Sequence, residues 1–299
     1  MTDTIGSRNV KLALQREGRL SRNSTELLET VGLQFDNYRQ RLFAACRNFD
    51  LELLFVRDDD IPEYVADGVA DLGIVGQNLV REYVRSEDGT GPVTEILPLG
   101  FGFCSFVVAV PNDSDVQQAS DLAGSKVATS YPNSARAYFK EQGVTVQIIP
   151  ISGSVEITPT LGVAQAVAEL TATGSTLRLN DLREIDTIYT SEAVLVANTA
   201  SLEQPDKRRT IDRLVVRLRA ALAARSYKYI MMNAPRSALD EITRLTPGLK
   251  SPTIVDLGDP DWVAVHTVVH AETFWDVIER LRELGASEML ITPIESMVM

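Results

Sequence analysis

At 299 residues, with 29 Lys and Arg against 41 Asp and Glu, the chain carries a net charge of −12. That acidity excludes a general nucleic-acid binder, whose affinity comes from neutralising phosphates. The hydrophobic share of 44% suits a globular protein of two or three domains. No apolar run approaches the roughly 18 residues of a membrane span. The N-terminal MTDTIGSRNVKLAL lacks a long apolar core with a cleavage site, so no signal peptide and no membrane partner are expected. Cys46 and Cys104 make no disulfide framework. Two reduced thiols in a cytoplasmic protein are expected.

VKLALQ (10–15) reads as a strand, and STELLETVGL (24–33) as a helix with Leu27, Leu28 and Val31 on one side and Ser24 as its cap. LELLFVR (51–57) is a second strand, and IPEYVADGV (61–69) a short helix with Pro62 in its first turn. DLGIVG (71–76) is an apolar strand of the buried parallel type, and QNLVREYV (77–84) begins the next helix. After the break SEDGTGPV (86–93) come a strand at 103–111, a turn and strand within 121–132, a helix at 134–143 and a strand within 144–156. Helical TPTLGVAQ (158–165) leads to the strand AVAEL, the loop TATG and a helix over 175–182. TIYTSEAVLVAN (187–198) returns to the first lobe, and a long helix runs over 205–230.

The expectation is an α/β protein with two lobes resembling periplasmic binding proteins. Residues 1–92 and 185–224 form lobe I, and 93–184 form lobe II. From 225 to 299 the order helix, strand, strand, helix, strand, with a leading strand at YIMM, is close to the ferredoxin-like arrangement.

The stretch ELTATGSTL (169–177) groups four hydroxyl residues around a glycine after a short apolar run. If AVAEL is a strand and Ser175 begins a helix, the N–H groups of Gly174, Ser175 and Thr176 face outward at the positive end of the helix dipole. An anion belongs there, with Thr171, Thr173 and Thr176 as neighbours and Gly174 allowing close approach. Glu169 is placed to accept from two ribose hydroxyls. An ordinary capped helix start is the other reading. In so acidic a chain, anion binding needs local arginines: Arg16 and Arg19 flank Gly18, Arg39 and Arg41 lie close together, and Arg57 precedes three aspartates. Each alone also reads as a solvated surface charge.

GSVEITPTLGVAQAVAELTATGSTL (153–177) resembles the signature of the ATP phosphoribosyltransferase family. Glu156, Gly162, Thr173, Gly174, Thr176 and Leu177 match its fixed positions. GRL at 18–20, DIP at 60–62, DLGIVG at 71–76 and VATSYP at 127–132 match further along the chain. PRSAL, PGLKSPTI and LRELGA resemble the regulatory domain of the family's long form. The resemblance covers essentially the whole chain. It departs at Glu169, where the signature usually has aspartate, at Gln165, often another, and at Glu17, where many members have lysine.

The resemblance implies that the adenine N1 of ATP attacks the anomeric carbon of 5-phosphoribosyl 1-diphosphate and pyrophosphate leaves. Gly18, Arg19, Glu169, Thr171, Thr173, Gly174, Ser175 and Thr176 would bind substrate. Arg16 and Arg57 would hold the diphosphate or the ATP phosphates, with Arg41 or Arg39 next. Asp71 would orient adenine or ribose, or simply cap its strand. Mg²⁺ would be held mainly through diphosphate oxygens and waters. Histidine, as inhibitor, would sit around Asn233, Leu249, Thr253 and Glu288 between subunits of a homo-oligomer, dimer to hexamer. His266 and His270 read as strand residues about 13 Å apart, a poor zinc site. A non-catalytic two-lobed sensor is the alternative.

Overall fold

The computed structural model describes residues 10–36, 42–84 and 91–298. These form two compact units, one holding residues up to Glu26 with Leu33–Ile211, the other Leu27–Gly32 with the chain from Asp212 onward. In chain order the strands of the first unit are β1 (Val10–Gln15), β2 (Phe43–Ala45), β3 (Leu51–Val56), β4 (Leu72–Gly76), β5 (Val93–Pro98), β6 (Cys104–Pro111), β7 (Lys126–Thr129), β8 (Gln147–Pro150), β9 (Ala166–Thr171), β10 (Leu182–Ser191) and β11 (Ala193–Asn198). The helices, in the same order, are α1 (Ser21–Thr30), α2 (Ile61–Ala66), α3 (Gln77–Tyr83), α4 (Pro132–Glu141), α5 (Ser175–Leu179), α6 (Thr199–Glu203) and α7 (Pro205–Arg225).

The strands make two mixed sheets. One has the order β2-β3-β1-β4-β11-β5, the other β10-β6-β9-β7-β8. β1 runs parallel to β3 and β4, while β11 is antiparallel to β4 and β5. β7 is parallel to β8 and β9, and β6 is antiparallel to β9 and β10. The apolar runs LGIVG and AVLVAN are buried along their whole length, as central strands covered on both faces must be. Ala13, Leu54, Ile61, Val65 and Val196 form a core of the first sheet. In the second sheet Phe106, Leu122 and Phe139 belong to one core and Val107, Val167 and Leu177 to another. Helices follow β1, β3, β4, β7 and β9, so the loops at those strands' C-terminal ends are the ones free to carry a site.

Several local readings change. β5, whose residues 93–98 were placed in lobe II, pairs with β11 in the first sheet. β10, placed from 185 onward in lobe I, pairs with β6 in the second. Ser24 lies inside α1, where its Oγ donates to the Leu20 carbonyl at 2.7 Å, and does not cap the helix. TPTLGVAQ is a series of turns, because Pro159 and Gly162 (φ +69°) interrupt any helix there. Most of the break at 86–93 lies outside the described residues.

In the second unit, Arg217 Nη1 donates to the Val31 carbonyl at 3.4 Å. β12 (Tyr227–Pro235), α8 (Leu239–Leu245), β13 (Thr253–Asp256), β14 (Trp262–His270), α9 (Phe274–Glu283) and β15 (Ser287–Pro293) follow. The long helix therefore ends at Arg225, before the expected 230, because Tyr227 onward pairs with β14. The strand order is β13-β14-β12-β15 with every neighbouring pair antiparallel, which is the ferredoxin-like topology. Burial alternates along WVAVHTVVH, and Val263 and Val265 pack with Ile230, Met232, Ile278 and Leu281.

Candidate active site

Five strand ends of the first unit converge on one cleft. Gln15 ends β1, Asp58 follows β3, Gly76 ends β4, Tyr131 follows β7 and Thr171 ends β9; all line a cavity of about 170 Å³. C-terminal strand ends are where open α/β sheets bind ligands.

The loop after β1 is built by a residue that the sequence reading overlooked. Gln15 is buried, and its Oε1 accepts the Leu20 N–H at 2.8 Å. Gly18 (φ +127°) passes against this carboxamide, so any side chain would collide with it. Arg16 is exposed, while its N–H bonds the Val56 carbonyl at 2.8 Å and its carbonyl accepts from Ser21 Oγ at 2.9 Å. Arg19 lines the cavity and donates to the carbonyls of Gly102 and Phe103. Arg57 is exposed at the end of β3, 3.8 Å from Asp59. Arg41, with Arg39, lies outside the described residues.

Asp71 is not at this cleft. It precedes β4, at the opposite end from Gly76. It is buried; Oδ2 accepts the Lys11 N–H at 2.8 Å, and Oδ1 takes Ser201 Oγ and Lys207 Nζ, each at 2.7 Å. A carboxylate so fully engaged holds the sheet's base together, which corrects its reading as an adenine or ribose contact.

Across the cleft, β9 runs into the hydroxyl-rich loop. Gly174 stands at the N-cap of α5 with φ +70°, a left-handed conformation suited to glycine. Its N–H donates to Thr171 Oγ1 at 2.8 Å, so this amide and hydroxyl serve each other; both had been expected to face a ligand. Thr173 Oγ1 bonds Ser175 Oγ at 3.0 Å, and Arg178 Nη2 donates to the Thr173 carbonyl at 3.0 Å. The first intrahelical bond is Arg178 N–H to Gly174, leaving the N–H groups of Ser175, Thr176 and Leu177 without an intrahelical partner.

Glu169 is half-buried, and burial pushes its carboxyl up to about 7. A bond from the Leu170 N–H works against this, and the charge of Glu156 adds to it. The Tyr131 phenol is also raised, by burial and then by Glu169, Asp59 and Asp58. Asp59 is raised by burial and by Asp58, with Arg57 opposing. Carboxylates from both sheets thus act on one phenol inside the cleft. They suit hydroxyl donors and a hydrated cation. Among the described residues no three His, Cys, Asp or Glu side chains form a metal cage.

In the second unit, Asn233 Nδ2 donates to Glu288 Oε2. A bulge in β15 makes this contact: Ser287 pairs with Asn233 and Leu290 with Met231, leaving one extra residue, and Glu288 takes φ +50°. Thr253 pairs with His266, on the far side of β14 from β12, and Leu249 is exposed on the loop before β13. The four expected effector residues therefore stand as two separate groups in one chain.

The family model for ATP phosphoribosyltransferase matches residues 57–220, more than half of the chain, and that for the HisG C-terminal domain matches 224–296. Among solved structures, the ATP phosphoribosyl transferase (HisG:HisZ) complex from Thermotoga maritima aligns with TM-score 0.60 and 26% identity over 70% of this chain and 96% of that one. The alkanesulfonate-binding protein SsuA from Xanthomonas axonopodis pv. citri aligns at TM-score 0.46 and 12% identity, covering 71% and 72% of the two chains. The binding protein ArtJ from Geobacillus stearothermophilus aligns at 0.45 and 12%, covering 69% and 89%. With a two-sheet core, a cleft at the strand ends and a ferredoxin-like tail, the chain belongs to the ATP phosphoribosyltransferase family in its long form, pentosyltransferases of histidine biosynthesis with a histidine-regulatory C-terminal domain.

Proposed function

We propose that the cleft at the strand ends is where ATP and 5-phosphoribosyl 1-diphosphate react. The observation that carries this assignment is that Leu170, Thr171 and Ala172, which lead from β9 into the Gly174-capped loop, line the same cavity as Arg19, Asp58 and Tyr131, with half-buried Glu169 next in the strand and acting on the Tyr131 phenol. The 5-phosphate sits at the loop, held by the N–H groups of Ser175 and Thr176 with the hydroxyls of Thr173 and Thr176. Glu169 accepts from the ribose hydroxyls, its longer side chain standing where the family usually has aspartate. Adenine N1 attacks the anomeric carbon with its lone pair while the bond to the diphosphate breaks and those electrons leave with it. The proton lost afterwards comes from the exocyclic amine, so no strong general base is required.

Arg16 and Arg57 meet the charge that builds on the leaving diphosphate, with Arg41 as a further candidate. Bound Mg²⁺ supplies Lewis-acid neutralisation of that diphosphate. Asp58 and Asp59, whose negative charge Arg57 only partly offsets, are the groups that favour a hydrated dication here. The family assignment leaves no support for the non-catalytic sensor.

Histidine binds the second unit by way of Asn233 and Glu288 from one chain and Leu249 and Thr253 from another, in a homo-oligomer between dimer and hexamer. What supports this is their separation by β14 within one chain. Such a site makes inhibition depend on assembly, because the effector favours the state in which both halves meet.

Gly174→Val tests the phosphate assignment. Its φ of +70° is costly for a branched side chain, whose Cβ would also meet Arg178. Calorimetric titration should show at least a tenfold loss of 5-phosphoribosyl 1-diphosphate affinity (on the order of 1.5–3 kcal/mol, as for a lost hydrogen bond to a charged group), with ATP affinity retained. Unchanged sugar-phosphate affinity in the folded variant refutes the assignment.

A further inference from the structure

α3 continues from β4 of the first sheet, and α4 follows β7 of the second. They meet through Glu82, which is 3% exposed. Its Oε1 accepts the Asn133 N–H and its Oε2 the Ser134 N–H, each at 2.8 Å. Asn133 Nδ2 returns a bond to the Glu82 carbonyl at 3.1 Å. α4 has no side-chain cap of its own; Tyr131 occupies the N-cap and Pro132, which has no N–H, follows. The Ala135 N–H already reaches the Tyr131 carbonyl. Asn133 and Ser134 are the first-turn donors that remain, and Glu82 takes both.

The rest of α3 is tied as well. Gln77 N–H bonds the Glu192 carbonyl at 2.9 Å, Asn78 N–H bonds Ser191 Oγ at 3.0 Å, and the Arg81 guanidinium lies 4.5 Å from the centre of the Tyr189 ring. A Ser or Asp next to α4 would satisfy the same two amides. A carboxylate arriving from 51 residues earlier, on the other sheet, adds a fixed relation between α3 and α4. Both border the cleft: Asn78 and Leu79 of α3, and Tyr131 at the head of α4, line its cavity.

We propose that Glu82 is a positioning residue for the transfer reaction. By capping α4 from α3, it sets the spacing between the cleft wall carrying Gln15, Arg19 and Asp58 and the wall carrying Glu169 and Thr171. The inference rests on the cleft assignment above. Displacement requires the two substrates in line, and a misplacement of about 1 Å costs on the order of 10²-fold in rate. Glu82 touches neither substrate and acts only through the spacing.

The test uses the full-length Glu82→Ala and Glu82→Gln variants, assayed well below their unfolding temperatures. Each is also spin-labelled at Glu63→Cys and Lys140→Cys, both exposed, with Cys46→Ser, buried Cys104 left in place, and labelled chain diluted into unlabelled. Glu82→Ala should lower kcat at least about tenfold, leave the affinity for each substrate measured singly within about threefold, and broaden the inter-label distance distribution. Glu82→Gln, with one acceptor oxygen, should fall between it and the unsubstituted chain, and carries the test alone if Glu82→Ala does not fold. An unchanged distance distribution overturns the proposal with the cleft assignment intact. A broadened distribution with unchanged kcat overturns it by placing the reaction elsewhere.

Discussion

Replacing Glu169 with glutamine tests the site through the energetics of one carboxyl. In the folded protein this group is raised from an ordinary 4.5 to about 7, chiefly by burial. Between those values the folded state holds a proton that the unfolded state has released, so stability falls as pH rises from 4.5 and levels off above 7. At about 1.4 kcal/mol per pH unit, the full penalty is about 3 kcal/mol, an upper value for a half-buried group. Glutamine is never charged and escapes it. Glu169→Gln should therefore melt above the unsubstituted protein at pH 8 by as much as about 6–12 °C, taking about 2–4 °C per kcal/mol for a chain of this size. At pH 4.5 the gap should close to a degree or two. Activity should move the other way: losing a charged acceptor for the ribose hydroxyls should lower kcat/KM for 5-phosphoribosyl 1-diphosphate at pH 8 by about 10–100-fold. Calorimetric melting across the pH range, with steady-state kinetics, measures both. A melting difference that does not change between pH 4.5 and pH 8 refutes the reasoning, because it means that the carboxyl titrates as in a free peptide.

Asp71→Asn should lower stability by about 2–4 kcal/mol, because it leaves Lys207 without its carboxylate, while KM for both substrates stays within about twofold at low temperature. A raised KM without lost stability would return Asp71 to the cleft. Glu288→Ala should weaken inhibition by histidine at least about tenfold, as for removal of a charged hydrogen-bond partner, with uninhibited kcat preserved; unaltered inhibition in steady-state assays would move the effector site away from the β15 bulge.

Sequence and structure agree where the signal is local. LGIVG is apolar throughout and became a central strand, Pro62 opened α2, and Gly174 marked the left-handed start of α5. VTEILP was overlooked as a strand because it lies at a sheet edge and mixes polar with apolar residues. Asp71 misled for a different reason. An acid before an apolar strand reads the same whether it faces a ligand or the sheet's base, and its partners Ser201 and Lys207 lie more than a hundred residues away. Gln15 and Glu82 were likewise silent: Gln15 gains its meaning from the turn that brings the Leu20 N–H back to its carboxamide, and Glu82 from main-chain N–H groups 51 and 52 residues on that only the fold brings near.

The order of strands in the first sheet also bears on how the chain is made. By residue 98 an emerging polypeptide has delivered β1 to β5, yet β5 has no neighbour to bond, because β11 must lie between it and β4. β11 arrives only at residues 193–198, after every strand of the second sheet has been synthesised. Until then one long edge of β4 stays open, with apolar residues that later become fully buried. Such an edge invites pairing with other nascent chains. The first half of this sequence is thus a poor candidate for folding alone, and the second sheet, contiguous from β6 to β10, is the part equipped to fold first.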